Sequence, residues 1–150
     1  MNAITATYAR AVTWAETRFA EGIALSFTRV ALAGIFWRSG RTKVDDGSWL
    51  SLSDSAKDLF STEYAGVPLP PDFAAHMALY AETFLPILLI LGLFTRLSAL
   101  GLLGMTLVIQ IFVFPEAWWQ VHIVWVSMAL ILIVRGGGLF SLDHLLKRNT

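Results

Sequence analysis

The sequence predicts an all-α integral membrane protein: a four-helix bundle with a short amphipathic interfacial helix in its first outer loop. Three observations predict it. The 150-residue chain is 56% hydrophobic and only 15% charged, and its mean hydropathy is +0.63, above the apolar share of an ordinary soluble domain. Four segments approach the roughly 20 mostly apolar residues that a helix needs to cross about 30 Å of hydrocarbon. The links between the last three segments, FTRLS and FPEAW, are so short that consecutive helices must be antiparallel neighbours.

The composition also excludes. A formal net charge of +0 and a pI near 6.8 give no electrostatic footprint for nucleic acid. With no cysteine, the chain has no thiol chemistry, no Cys-ligated iron–sulfur cluster and no c-type haem, so a redox role needs a bound cofactor or a partner. One domain, residues 1–150, is expected at this length.

The N-terminal MNAITATYARAVTWAETRF has no continuous apolar core and no small-residue cleavage site, so the first span is expected to be retained. The spans fall at about residues 19–37, 73–94, 97–114 and 117–134. Between the first two, residues 39–72 carry Asp45, Asp46, Gly47, Pro68, Pro70 and Pro71 and cannot span. Within that loop Leu52, Ala56, Leu59, Phe60 and Tyr64 recur at helical spacing, with Ser51 and Asp54, or Ser53, as a cap. A short amphipathic helix on the membrane surface follows. After residue 134, RGGG ends the last span, and SLDHLLKRN restarts a helix capped by Ser141 in a tail, residues 135–150, lying on the membrane.

Arg10, Arg18, Arg96, Arg135, Lys147 and Arg148 lie on one side, against Arg38, Arg41, Lys43 and Lys57 on the other. The positive-inside rule then places both termini in the cytoplasm. Trp37, Trp118 and Trp119 fall at the opposite, outer boundary as an aromatic belt.

The stretch AETFLPILLILGLFTRLSAL sets a carboxylate, a proline and an arginine in an apolar run. Arg96 sits in a turn and reads as an interface anchor. Glu82 is about 21 Å from it at 1.5 Å per residue, inside the outer half of the bilayer, where an unpaired carboxylate is costly. Arg29 lies roughly 13 Å below Arg38 by the same rise, so Arg29 and Glu82 are expected to face each other and offset each other's desolvation. Pro86 removes the N–H that would bond the Glu82 carbonyl and is expected to free it toward a polar cavity. Gln110, Gln120 and His122 reach a comparable depth, so the intramembrane polar groups cluster in one leaflet.

Such a cluster reads either as a network that fixes helix packing or as a proton- or quinone-handling pocket, with Arg29, Glu82, His122 and Gln110 as its candidate residues. A metal site is not expected, because His76, His122 and His144 include no short-spaced ligand pair. Gly34, Gly92, Gly101 and Gly104, with Ala31 and Ala99, are expected where helices pack closely.

The chain resembles the DoxX family of small four-helix bacterial membrane proteins over about residues 26–146. FTRVALAGIFWRSGRTK resembles the family's first span, with Arg29, Ser39–Gly40 and Lys43. LFSTEYAGVPLPPDFA is similar to the loop entering the second. AETFLPILLILGLFTRLSALGL resembles its most specific stretch and supplies Glu82, Pro86, Gly92, Thr95 and Arg96. GGGLFSLDHLL resembles its closing segment, with Ser141, Leu142 and Asp143. The resemblance implies a multi-pass protein of the bacterial cytoplasmic membrane. The family takes its name from subunits associated with an archaeal quinol oxidase and thiosulfate:quinone oxidoreductase, and relatives are linked to membrane redox complexes and oxidative-stress defence.

Three functions follow as expectations. The first is an accessory subunit of a quinone-linked redox system, an oxidoreductase component without independent catalysis, with quinone as the cofactor and other redox proteins as partners. The second is a non-catalytic scaffold that recruits membrane proteins. The third is a small transporter, which with four helices and no inverted repeat would require a homodimer.

Overall fold

The computed structural model describes residues 3–148, which are helical apart from turns and one isolated antiparallel bridge between Val44 and Leu52. The last two residues of the expected tail lie outside the described ones. Helix α1, Ala3–Ala15, was not foreseen; its apolar side chains are scattered and exposed. Thr17 then caps α2 by accepting the Ala20 N–H at 3.2 Å.

The α2 helix runs Arg18–Arg41, four residues beyond the expected boundary at residue 37. The extension is held because Gly40 packs directly on α4, so Ser39 and Gly40 continue the helix instead of ending it. The surface helix α3, Asp54–Thr62, is capped by Ser53 through the Ala56 N–H. Its apolar face is laid on α4, where Ala56 and Phe60 join Ala74, Ala75 and Leu79 in a small core.

The second span is α4, Pro71–Leu91, begun by prolines that need no N–H in a first turn. It stops three residues short of residue 94 because Gly92 takes the left-handed conformation, φ 67°, as its cap. Phe94, at φ 49°, completes the turn into α5, Thr95–Phe112. The fourth span, Pro115–Arg135, opens with a 3₁₀ turn, Pro115–Ala117, and a π turn, Trp118–His122, before α6, Ile123–Arg135. The tail helix α7, Leu142–Arg148, starts after Ser141, whose hydroxyl accepts the His144 N–H at 3.2 Å.

Four helices are therefore long and apolar enough to cross a membrane. Around the bundle α2 packs on α4, α4 on α5, α5 on α6 and α6 back on α2. Leu32, Phe36, Leu89, Ala99, Leu102 and Leu132 fill its centre, while Phe27, Phe84, Ile111 and Val134 point outward from the spans as side chains that lipid covers. One end, the terminal end, carries Arg18, the α4–α5 turn, Arg135 and α7. The other, the loop end, carries Arg41, α3 and Pro115.

The glycines divide. A methyl group at Gly101 would meet Leu85, and one at Gly92 would meet Arg29 and Ser141, as close packing requires; at Gly34 and Gly104 it would meet nothing. Ala99 is fully buried, whereas Ala31 is exposed.

Candidate functional site

The expected Arg29–Glu82 pair does not form. Side chains on a helix lean toward its N-terminus, and the long Arg29 side chain follows that lean to the terminal end. There Nη1 donates to the carbonyls of Leu89 (3.3 Å) and Ile90 (3.0 Å), and Nη2 to Ser26 Oγ (3.1 Å) and the Phe140 carbonyl (2.6 Å). The guanidinium thus adds donors to the last-turn carbonyls of α4, of which Leu89 also accepts the Gly92 N–H at 3.1 Å, and ties them to the chain entering α7.

Asp143 does the complementary work on α5. Its two carboxylate oxygens accept the N–H groups of Phe94 and Thr95, each at 2.8 Å, while its own N–H donates to the Gly92 carbonyl at 2.9 Å. Arg29 and Asp143 therefore hold the end of α4 and the start of α5, the two helix ends that meet at one left-handed turn.

Glu82 pairs with Lys43 instead. Lys43 lies two residues past the end of α2, where the chain folds back; its carbonyl accepts the Ser53 N–H at 2.9 Å. The ammonium donates to Glu82 Oε2 at 2.7 Å, with side chains only 5% and 3% exposed. It also donates to Ser39 Oγ at 3.0 Å, and the Ser39 hydroxyl donates to Glu82 Oε1 at 3.2 Å. Both carboxylate oxygens are thus engaged, which a buried ion pair needs to be tolerated.

Pro86 does leave the Glu82 carbonyl without its helical donor, but no polar cavity receives it. Gly40 covers it so closely that an added Cβ would lie 3.1 Å from the oxygen. One turn along, Arg41 donates to the Thr83 hydroxyl and to the Trp49 carbonyl (2.9 Å), with its guanidinium 4.6 Å from the Trp37 ring.

His122 and Gln110 form a separate unit. Gln110 Nε2 donates to the Pro115 carbonyl at 2.7 Å, which leaves Oε1 to accept from His122 Nδ1, also at 2.7 Å, and so sets the ring's proton on Nδ1. This pair closes the α5–α6 turn; Gln120 is exposed. Among the described residues no group of His, Asp and Glu is placed to hold a metal ion.

A cavity of about 290 Å³ opens between α3, α4 and α5, lined by Phe60, Tyr64, Met77, Met105 and Ile109, with Glu82 as the carboxylate in its lining. Tyr64 stacks on Phe60 with ring centroids 4.3 Å apart. Burial, and secondarily the Glu82 charge, push the Tyr64 phenol up, so it stays a proton donor at neutral pH. Of the four residues expected at a cofactor site, only Glu82 reaches this cavity. The expectation names Lys43 as a motif residue and a topology charge but not as the partner of Glu82, because it lies outside any span; its spacing of four from Ser39 is the available signal.

A sequence model of the family described as DoxX matches residues 24–115. The chain belongs to the DoxX family. A protein of Haemophilus influenzae described as uncharacterized is 32% identical over 142 residues, covering 85% of each chain. No solved structure matches. In this DoxX protein the motif residues sort by structure into two sets: Arg29, Gly92, Thr95, Ser141 and Asp143 at the terminal lock, and Ser39, Lys43, Glu82 and Pro86 at the loop end.

Proposed function

We propose that this DoxX protein is an accessory subunit of a quinone-linked redox system in the bacterial cytoplasmic membrane, holding a quinone in the cavity between α3, α4 and α5. The carrying observation is the buried Lys43–Glu82–Ser39 cluster beside a cavity lined mostly by apolar side chains of α4 and α5. At about 290 Å³ the space lies near the lower end of the roughly 300–1,000 Å³ usual for small-molecule sites, suited to a headgroup whose isoprenoid tail runs among the acyl chains. Tyr64 supplies a hydroxyl donor to a quinone carbonyl, and Glu82, already desolvated with its counter-ion, supplies an acceptor on the reduced form. A quinone bound there would carry the electrons; these residues bind, orient and exchange protons with it.

The test is quinone per protein after purification in mild detergent, by mass spectrometry of extracted lipid. Gly104 lines the cavity, and a Cβ added to it meets nothing within 4 Å, so Gly104→Phe introduces a ring at the cavity without substituting either partner of the ion pair. Near-stoichiometric quinone in the wild type, lost in Gly104→Phe at unchanged thermal stability, supports the reading. Background quinone in both overturns it and leaves the scaffold reading, which the wholly structural engagement of Arg29 favours.

A further inference from the structure

A second cavity, of about 580 Å³, lies at the terminal end, away from Glu82, between the start of α2, the α4–α5 turn, the end of α6 and α7. Its charge is unbalanced. Among its described lining residues, Arg18, Arg96 and Arg135 stand with two carboxylates, Glu21 and Asp143. Both are committed: Asp143 to two backbone N–H groups, and Glu21 to Arg135, whose Nε donates to it at 2.6 Å.

Two further features point to an anion. Thr95 lines the cavity and is 0% exposed, yet its hydroxyl has no partner. A buried hydroxyl left so is costly unless a ligand completes it. The glycine loop forms another wall, and its Gly136 and Gly138 sit at positive φ, 78° and 76°. Among the described residues no acceptor engages the N–H groups of Gly137, Gly138 or Leu139. Successive free amides in such a turn make an anion-binding concavity, and guanidinium groups match the geometry of phosphate oxygens.

We propose that this basin binds a phosphate group, held by Arg18 and Arg96 at the rim and by the Thr95 hydroxyl and glycine-loop amides at the wall. Phe94, Leu97 and Leu146 line the same basin and are 60%, 65% and 58% exposed. Their apolar surface favours an amphiphile whose chains lie alongside them, and a membrane phospholipid has that chemistry.

Delipidated full-length protein in detergent, titrated by native mass spectrometry with dioctanoyl phosphatidylglycerol, dioctanoyl glycerol and inorganic phosphate, tests this. Phosphatidylglycerol should bind, the phosphate-free diglyceride should not, and Thr95→Val with Arg96→Gln should weaken binding by about tenfold or more. Thr95→Val alone removes only an unpartnered hydroxyl, so it keeps the fold testable. Arg38→Gln, at the other end, should change nothing. Inorganic phosphate displacing the lipid at comparable concentration would uphold the phosphate site and assign it to a soluble ligand. Equal binding of the diglyceride, or unchanged lipid binding by the double variant, overturns the proposal.

Discussion

Lys43 Nζ lies 2.7 Å from Glu82 Oε2, and both side chains are almost wholly removed from solvent. The pair joins the fold-back after α2 to the middle of α4, so its energetics decide whether this DoxX protein keeps its loop end closed. Removing one partner strands a buried charge, at a cost of roughly 3–5 kcal/mol, whereas replacing both by apolar groups of similar volume is often neutral or better. Glu82→Ala should therefore lower thermal stability in detergent sharply, and the double variant Lys43→Met, Glu82→Leu should recover most of it. A double variant as unstable as the sum of its parts would show that the two residues are not coupled, and would overturn the pair as the clasp of the loop end.

Gly40 gives a steric prediction at the same contact. An added methyl would stand 3.0 Å from Glu82 Cβ and 3.1 Å from its backbone oxygen, and backbone cannot move aside as a side-chain tip can. Gly40→Ala should destabilise by about 1–3 kcal/mol, in the range of overpacking. Gly34→Ala, where nothing lies within 4 Å, should be neutral to slightly stabilising through helix propensity. Comparing the two apparent melting temperatures checks this; equal shifts would contradict the close approach of α2 to α4.

What the sequence showed and what it hid follow from range. The four spans, the Ser53 and Ser141 caps and the antiparallel order rest on local hydropathy and turn chemistry, and they emerged within a few residues. Around the turns, boundaries moved for tertiary or conformational reasons: α2 lengthened against α4, while α4 stopped and α5 began earlier around the left-handed turn at Gly92 and Phe94. The pairing of Glu82 is not legible in sequence, because the rise per residue places Cα atoms and not the direction in which a long side chain reaches. An arginine that reaches one way and a lysine on a chain that folds back the other way exchange partners without changing any local pattern.

Arg29 supplies the third prediction. Its guanidinium serves three carbonyls and a serine hydroxyl from two nitrogens, a planar fork that an ammonium cannot reproduce. Arg29→Lys should be destabilising, with loss of protection by hydrogen exchange concentrated at residues 89–94 and 138–143. Retained protection there would separate Arg29 from the lock assigned to it.

Asp143 carries the last prediction. Its carboxylate accepts the N–H groups of Phe94, just before α5, and of Thr95, its first residue, from the far end of the chain, and capping residues contribute about 0.5–2 kcal/mol. Asp143→Asn keeps one accepting oxygen but turns an N–H₂ group toward the second donor, so it should lose most of that stabilisation, much as Asp143→Ala does. Because the same residue's N–H still reaches the Gly92 carbonyl at 2.9 Å through main chain, α7 should stay docked in both variants. Proteolysis after Arg148 or Lys147 should then remain slow, while exchange at Phe94 and Thr95 quickens. Fast proteolysis in Asp143→Asn would mean that the side chain, not the main chain, holds the tail to the bundle.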